Sequence, residues 1–338
     1  MRFLLLPFSW LYALTLFIRN LLYDIGFLES SRVKKSIGIG NLSMGGTGKT
    51  PLTLFIAEWL IENNEHVFIL SRGYKRTTKG TIQVDESHKS HEVGDEPLMY
   101  KRRLKDKINV IVTKNRWLGS LKAKRQSPEA FTLFDDVFQH RKVITDFSIV
   151  TTPINDLFLD DLLIPVGRLR EPKRNIKRAN CIVITRCPNQ LSSDEKRHIR
   201  SRFMHYNKPV FFSSIRYENF ICFGTKIKKI KRILMVTGIA NNDNLKSHLE
   251  KSYEIKVVSY PDHYAYRLQD MKDIHQKFNS FADEQSIILT TEKDMVRMLE
   301  FEKYIVKHNL PMYFQPISLD LQNEKEFTSL IKNYVGKI

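Results

Sequence analysis

The stretch that most constrains the fold runs from Ser36 to Leu60. The apolar run Ser36-Ile37-Gly38-Ile39-Gly40 precedes Asn41-Leu42-Ser43-Met44-Gly45-Gly46-Thr47-Gly48-Lys49-Thr50, and Pro51 to Leu60 reads as an amphipathic helix. Strand, glycine-rich loop, Gly-Lys-Thr and helix together form a cradle for a nucleoside triphosphate. The glycines let backbone N–H groups turn inward onto phosphate oxygens. The helix start adds free N–H groups and the positive end of its dipole. Lys49 would neutralise the β- and γ-phosphates of ATP, and the Thr50 hydroxyl would hold Mg²⁺. Ser43 stands where the usual pattern has its first glycine.

The flanking segments predict an α/β fold. Short apolar runs at 67–70, 109–112 and 130–134 alternate with helical stretches at 98–104 and about 117–125. That alternation implies a parallel sheet with helices on both faces. After the strand-like run 147–152 the texture changes. Leu163 to Pro172 is loop-like, and βα units resume at 181–185, 232–237, 253–259 and 286–290. The expected organisation is an apolar helix over 1–28 and a P-loop NTPase-type parallel sheet domain over 29–150. A second, smaller α/β domain would cover 151–316 and close over a substrate cleft, with a helical segment over 317–338.

The chain has 338 residues, 42% of them hydrophobic, and a net charge of +17. That length allows two cores. The charge favours an anionic partner: a nucleotide, a nucleic acid or an acidic membrane surface. The basic residues are spread along the chain, with short clusters at 101–103 and 226–232, and no nucleic-acid-binding module accompanies them. The spacing of Cys181 and Cys187 fits neither a zinc knuckle nor a Cys-x-x-Cys pair. The three cysteines read as reduced, structural thiols of a cytoplasmic protein.

Phe3 to Ile18 is almost wholly apolar and is bracketed by Arg2 and Arg19. A spanning helix needs roughly 20 apolar residues. This run is shorter, carries Pro7 near its start and is followed by no small-residue cleavage site. Three readings stand. The helix lies in the membrane interface, with Trp10, Tyr12 and the flanking arginines at headgroup level. It makes a single short span. Or it is buried against the rest of the protein.

Ala130 to Asp136 has the form of a strand that delivers a carboxylate to a metal beside the phosphate loop. Two adjacent aspartates ending a buried strand are costly without a compensating cation. Asp135 or Asp136 would therefore meet Mg²⁺, directly or through water. Gln139 and His140 follow closely and could order the metal's water shell or the phosphates. Asp95, in Gly-Asp-Glu-Pro, is either a helix-capping aspartate or the general base for an attacking hydroxyl. His263 ends a strand-like run in an aromatic-rich turn. Alone it would be structural, whereas an Asp–His contact across a cleft would orient and activate the pair. Arg72, Arg116 and Arg170 lie in loops or after strands facing the expected cleft, and a guanidinium fork suits phosphate oxygens.

With these residues assembled, the chain resembles the tetraacyldisaccharide 4′-kinase family, the lipid A 4′-kinases of Gram-negative bacteria. The matching stretches are Gly40 to Pro51, Ser71-Arg72-Gly73-Tyr74, Val93-Gly94-Asp95-Glu96-Pro97, Asp135-Asp136-Val137-Phe138-Gln139-His140 and Leu163 to Pro172. Further along come Val236 to Asn241, Pro261-Asp262-His263-Tyr264 and Thr290-Thr291-Glu292-Lys293-Asp294. They run in family order over almost the whole chain, and Ser43 fits the family's own loop. One departure stands out: Val137 occupies a position that is usually Gly. Because a β-branched residue resists positive φ, either that turn keeps a negative φ or the metal site is shifted.

The resemblance implies a membrane-peripheral enzyme on the cytoplasmic face of the bacterial inner membrane. It would move the γ-phosphoryl of ATP to the 4′-hydroxyl of an acylated disaccharide 1-phosphate, with Mg²⁺ as cofactor. It also implies two α/β domains joined by a hinge, an amino-terminal anchor, and Asp95 paired with His263 to activate the hydroxyl beside Lys49. The nucleotide would lie on Ser43 to Thr50, the metal on Thr50, Asp135, Asp136 and Gln139. The lipid would meet Asn41, Arg72, Tyr74, Arg116 and Arg170. No nucleic acid or obligate protein partner is expected.

A rival reading is a membrane-associated nucleotide switch, an ATPase of the partitioning type. Those proteins carry a second lysine at the start of a Lys-Gly-Gly loop, where this chain has Met44. An RNA-binding role has neither a stacking platform nor a basic helix behind it.

Overall fold

The structure is a computed structural model that describes residues 2–336. Met1, Lys337, Ile338 and the side chains of Arg2 and Phe3, expected to open the apolar run, lie outside the described residues. The first elements are α1 (Leu6–Asp24), β1 (Ser31–Asn41), α2 (Lys49–Glu62), β2 (Val67–Ser71), β3 (Ile82–Gln83), α3 (Ser90–Val93) and α4 (Asp95–Leu104). Next come β4 (Ile108–Val112), α5 (Arg116–Gln126), β5 (Phe131–Asp135), β6 (Val143–Pro153), β7 (Cys181–Thr185), α6 (Ser193–Phe203) and β8 (Val210–Tyr217). Then follow β9 (Ile221–Cys222), β10 (Arg232–Thr237), α7 (Asp243–Leu249), β11 (Glu254–Ser259), α8 (Leu268–Asn279) and β12 (Ser286–Thr291). The chain closes with α9 (Glu292–Met298), α10 (Glu302–Lys307), β13 (Met312–Gln315), β14 (Ile317–Leu321) and α11 (Glu324–Val335).

Two sheets organise these elements. The larger has nine strands in the order β14-β8-β7-β6-β1-β5-β2-β4-β3, parallel except at its two edge pairs. The smaller has five in the order β11-β10-β12-β13-β9, parallel except for β9. Every residue of β2, β5 and β7 is buried, as continuous apolar runs covered on both faces by crossover helices must be. The register aligns Ile39 of β1 with Asp135 of β5 and Asn41 with Thr151 of β6. The carboxyl ends of these strands therefore share one edge, where open α/β sheets take their ligands.

The sheet boundary differs from the expected break at 151. Strands β7 and β8 extend the first sheet, because each apolar run returns in parallel beside its predecessor: Ile149 pairs with Cys181, and Ile182 with Val210. The chain leaves this sheet only after Tyr217 and re-enters it at Ile317, with Pro316 alone between β13 and β14. The exit and return lie side by side: the Glu218 amide donates to Pro316 O at 3.0 Å, and Gln315 Nε2 donates to Glu218 O at 2.6 Å.

Among the described residues no helix is long and apolar enough to cross a membrane. Helix α1 is not buried either, since only Ser9, Leu16 and Asn20 are. Its polar stripe faces the protein. Ser9 Oγ donates to Leu163 O at 3.0 Å, Tyr12 OH to Arg170 O at 2.9 Å, and Arg19 pairs with the buried Glu171 at 2.6 Å. The opposite face leaves Phe8, Trp10, Leu11, Leu14, Phe17, Ile18 and Leu21 exposed. This is amphipathicity turned outward, with polar groups such as Ser9, Tyr12 and Arg19 engaged by the protein and apolar groups left to the surroundings.

Candidate active site

The phosphate loop is held from three sides before any ligand is considered. Gly45 and Gly48 have φ of 102° and 80°, which a side chain resists. A Cβ at Gly48 would also lie 2.9 Å from Thr185 Cβ. Asn41 is buried beneath the loop, where its Nδ2 donates to Thr47 Oγ1 at 2.8 Å. Thr185 Oγ1 donates to Thr47 O at 2.9 Å, and the Met44 amide to Arg168 O at 2.7 Å. Ser43 bridges to Leu169. Helix α2 then starts at Lys49 with its free amides at the mouth.

The two aspartates ending β5 behave differently. Asp136 takes the left-handed conformation, φ 52°, a region Asp tolerates. Val137 is absent from the positive-φ residues, so the turn keeps its shape with a buried valine packed under Gly38. Arg170 grips Asp136 with both terminal nitrogens, at 2.8 and 3.1 Å, and Lys49 Nζ lies 3.5 Å away. Although burial opposes its charge, Lys49 and Arg170 hold the Asp136 carboxyl well below the usual range. Arg170 also bonds Asn41 Oδ1.

Asp135 is the contrasting case. Burial, with Glu96 and Asp136 nearby, pushes its carboxyl up to about 7. Its Oδ2 accepts from Tyr100 OH at 3.2 Å, and its Oδ1 is buried with no partner. Gln139 donates to Asn41 O at 2.7 Å, leaving its Oε1 buried and unpartnered. A buried orphan oxygen is costly. Orphan oxygens on Asp135 and Gln139, with the Thr50 hydroxyl, make a hard-oxygen set that fits Mg²⁺, which commonly takes one or two carboxylates and completes its shell with water and phosphate. Asp136 is committed to Arg170. Among the described residues no group of three or more His, Cys, Asp or Glu is arranged as a metal cage.

Opposite the phosphate loop, Asp95 opens α4 and meets His263, which lies beyond β11 in the other sheet's crossover. His263 Nδ1 donates to Asp95 Oδ2 at 2.8 Å, and Asp95 Oδ1 accepts from the Glu96 amide at 2.9 Å. Burial works against the Asp95 charge, but the His263 hydrogen bond and the charges of Lys293, His263 and Arg297 lower its carboxyl to about 2. The same hydrogen bond raises His263 above its ordinary value. The imidazole stands in a left-handed turn, φ 56°, and its amide donates to Gly238 O at 3.1 Å. The Tyr74 ring packs edge-on against it, 5.2 Å between centroids.

Three residues expected as lipid contacts are engaged within the protein instead. Arg116 is buried and donates to Thr113 O at 2.5 Å and Asp135 O at 3.2 Å. The start of α5 folds it back under the strand end, and burial lowers its guanidinium to about 10. Asn41 is likewise an internal strut. Arg170 faces Asp136 rather than open cleft. Arg72 and Tyr74 remain exposed beside the cleft.

The sequence reading assigned no role to Glu96, Lys293 or Arg297. Glu96 Oε1 accepts from Thr50 Oγ1 at 2.9 Å and also bonds Lys293 Nζ. Arg297 donates to Gly238 O at 3.2 Å and Tyr264 O at 3.0 Å, clamping both ends of the His263 turn. Glu96 and Lys293 each lie in one of the matching stretches, whereas Arg297 lies just beyond the last of them.

The family model described as Tetraacyldisaccharide-1-P 4′-kinase matches residues 1–336. The chain belongs to that family. It is 37% identical to the tetraacyldisaccharide 4′-kinase of Flavobacterium psychrophilum, over 99% of this chain and 97% of that one. It is 34% identical to the enzyme of the same name from Bacteroides fragilis, over 98% and 92%. Among solved structures it is similar to the "apo" form of LpxK from Aquifex aeolicus in complex with ATP. There the TM-score is 0.76 and the identity 29%, over 99% of both chains. Family membership decides against the partitioning-ATPase alternative.

Proposed function

We propose that the chain is an ATP-dependent kinase that transfers the γ-phosphoryl group to the 4′-hydroxyl of a tetraacyldisaccharide 1-phosphate. The observation that carries this reading is the Asp95–His263 contact, 2.8 Å long, beside Glu96, which accepts from Thr50 of the phosphate loop, in a chain of this family. The test is whether the γ-phosphate of labelled ATP reaches that lipid acceptor.

In-line transfer asks the protein mainly for position and charge. The amides of Ser43 to Thr50 and the ammonium of Lys49 bind the triphosphate. Thr50, Asp135 and Gln139 would hold Mg²⁺, which supplies charge neutralisation across the phosphates. Asp95 is ionised at any working pH and accepts the acceptor's hydroxyl proton, while His263 fixes the orientation of its carboxylate. Arg170 keeps Asp136 and Asn41 in place behind the loop, and Arg72 and Tyr74 are the open groups left for the lipid head.

The division into two moving units is part of this proposal. One comprises the nine-stranded sheet and the other residues 218–316, hinged at the paired crossings near Glu218 and Pro316. Asp95 belongs to one unit and His263 to the other, so closure assembles the pair.

Helix α1 supports a membrane-peripheral position, and the proposal places it on the cytoplasmic face of the inner membrane and invokes neither nucleic acid nor an obligate protein partner. Its outward apolar face suits the headgroup boundary, and the basic net charge favours anionic lipid. Removing residues 1–28 is expected to abolish flotation with anionic liposomes while leaving Mg·ATP affinity intact. Unchanged flotation would remove the anchor.

A further inference from the structure

Lys293 reaches the reaction centre from the opposite sheet on a rigid support. Thr291 caps α9 by accepting from the Asp294 amide at 3.2 Å. Asp294 is saturated by the Gly238 amide at 3.0 Å, Tyr266 OH at 2.9 Å, Thr291 Oγ1 at 2.6 Å and Arg297 at 3.0 Å. Arg297 Nε holds Lys293 O at 3.1 Å. The backbone of Lys293 is thus fixed, and its four-carbon side chain is the adjustable part.

Its ammonium contacts Glu96 Oε1, the same oxygen that accepts from Thr50 Oγ1. One carboxylate oxygen therefore separates Lys293 from the hydroxyl assigned to Mg²⁺. Burial opposes the charge, and Glu96, Asp95 and Asp135 together more than offset it, so the group stays protonated. Other pairs already tie the two sheets at this seam, since Arg103 meets Glu292 at 3.0 Å and Asp95 meets His263.

We propose that Lys293 is a catalytic cation for the phosphoryl group in flight, held by Glu96 until nucleotide is bound. The assignment rests on the kinase reading above. The bond from the γ-phosphorus to the β–γ bridging oxygen breaks, and the bond to the acceptor oxygen forms. The hydroxyl proton passes to the Asp95–His263 pair, and Lys293 neither gains nor loses a proton. Charge spreads over three equatorial oxygens in such a transition state, so a cation aimed at them acts more strongly there than in the ground state.

The experiment compares wild type, Lys293→Met and Lys293→Arg in the full chain. Calorimetry with Mg·ATP, and with Mg·ADP plus aluminium fluoride as mimic of the transferring group, gives two affinities beside kcat. For Lys293→Met, ATP affinity stays within about threefold, whereas mimic affinity and kcat fall about 100-fold or more. Lys293→Arg restores at least about tenfold of that loss, as a retained charge requires. Equal loss of both affinities, a kcat near wild type, or a Lys293→Met chain that does not fold would make Lys293 a scaffold partner of Glu96 and overturn the proposal. Failure of the kinase reading looks different: wild type itself would label no acceptor.

Discussion

Lys49→Met abolishes tight Mg·ATP binding and lowers phosphoryl transfer by about 10³-fold or more. The expectation follows from the loop's construction. Its amides are aimed inward by Gly45 and Gly48, but dipoles alone leave most of a triphosphate's charge uncompensated. Lys49 is the ammonium at that mouth, and among the described residues its one ion pair is with Asp136, at 3.5 Å. The variant should still fold, because Arg170 keeps its two-nitrogen grip on Asp136 and Thr47 keeps its bonds to Asn41 and Thr185. Calorimetry and thermal unfolding separate the effects: affinity is lost while the midpoint stays close to wild type. Unchanged affinity would remove the phosphate loop from the account.

The second large effect belongs to Asp95→Asn. The amide keeps the volume and can still accept from the Glu96 amide, but it removes the carboxylate that faces His263, Lys293 and Arg297. It cannot take a proton from the acceptor hydroxyl. We expect kcat to fall about 10²- to 10⁴-fold, the usual size of a general-base term. The dissociation constant for Mg·ATP should stay within about threefold, because among the described residues Asp95 hydrogen-bonds Glu96 and His263 and pairs with Arg297 at 3.9 Å, none of them in the loop. His263→Asn should lower kcat less, since the carboxylate remains and only its orientation suffers. Near-normal turnover in Asp95→Asn would contradict the base assignment.

Much of this architecture was legible because it is local. A strand followed by a glycine-rich loop and Lys-Thr fixes β1, the loop and the start of α2 within twenty-odd residues. The apolar run before Asp135 likewise announces β5. What local pattern cannot convey is pairing at a distance. Strands β8 and β14 join antiparallel although the whole five-stranded sheet lies between them in sequence, so 151 looked like a boundary when Tyr217 is the true exit. Arg116 reads as a loop cation, yet besides the nearby Thr113 O its guanidinium meets Asp135 O at the end of a distant strand. The Asp95–His263 contact was reached through family resemblance, not spacing. Glu96 and Lys293 carry no local signal within the matching stretches, since their meaning arises only once Glu96 stands between Thr50 and Lys293.

The most direct test supplies ATP labelled in its γ-phosphate to the purified full chain, with Mg²⁺ and a tetraacyldisaccharide 1-phosphate in detergent micelles. Label should appear on the lipid's 4′-oxygen with wild type and vanish with Lys49→Met. Release of the label only as inorganic phosphate, or equal labelling by Lys49→Met, would contradict the claim that this loop feeds a lipid hydroxyl.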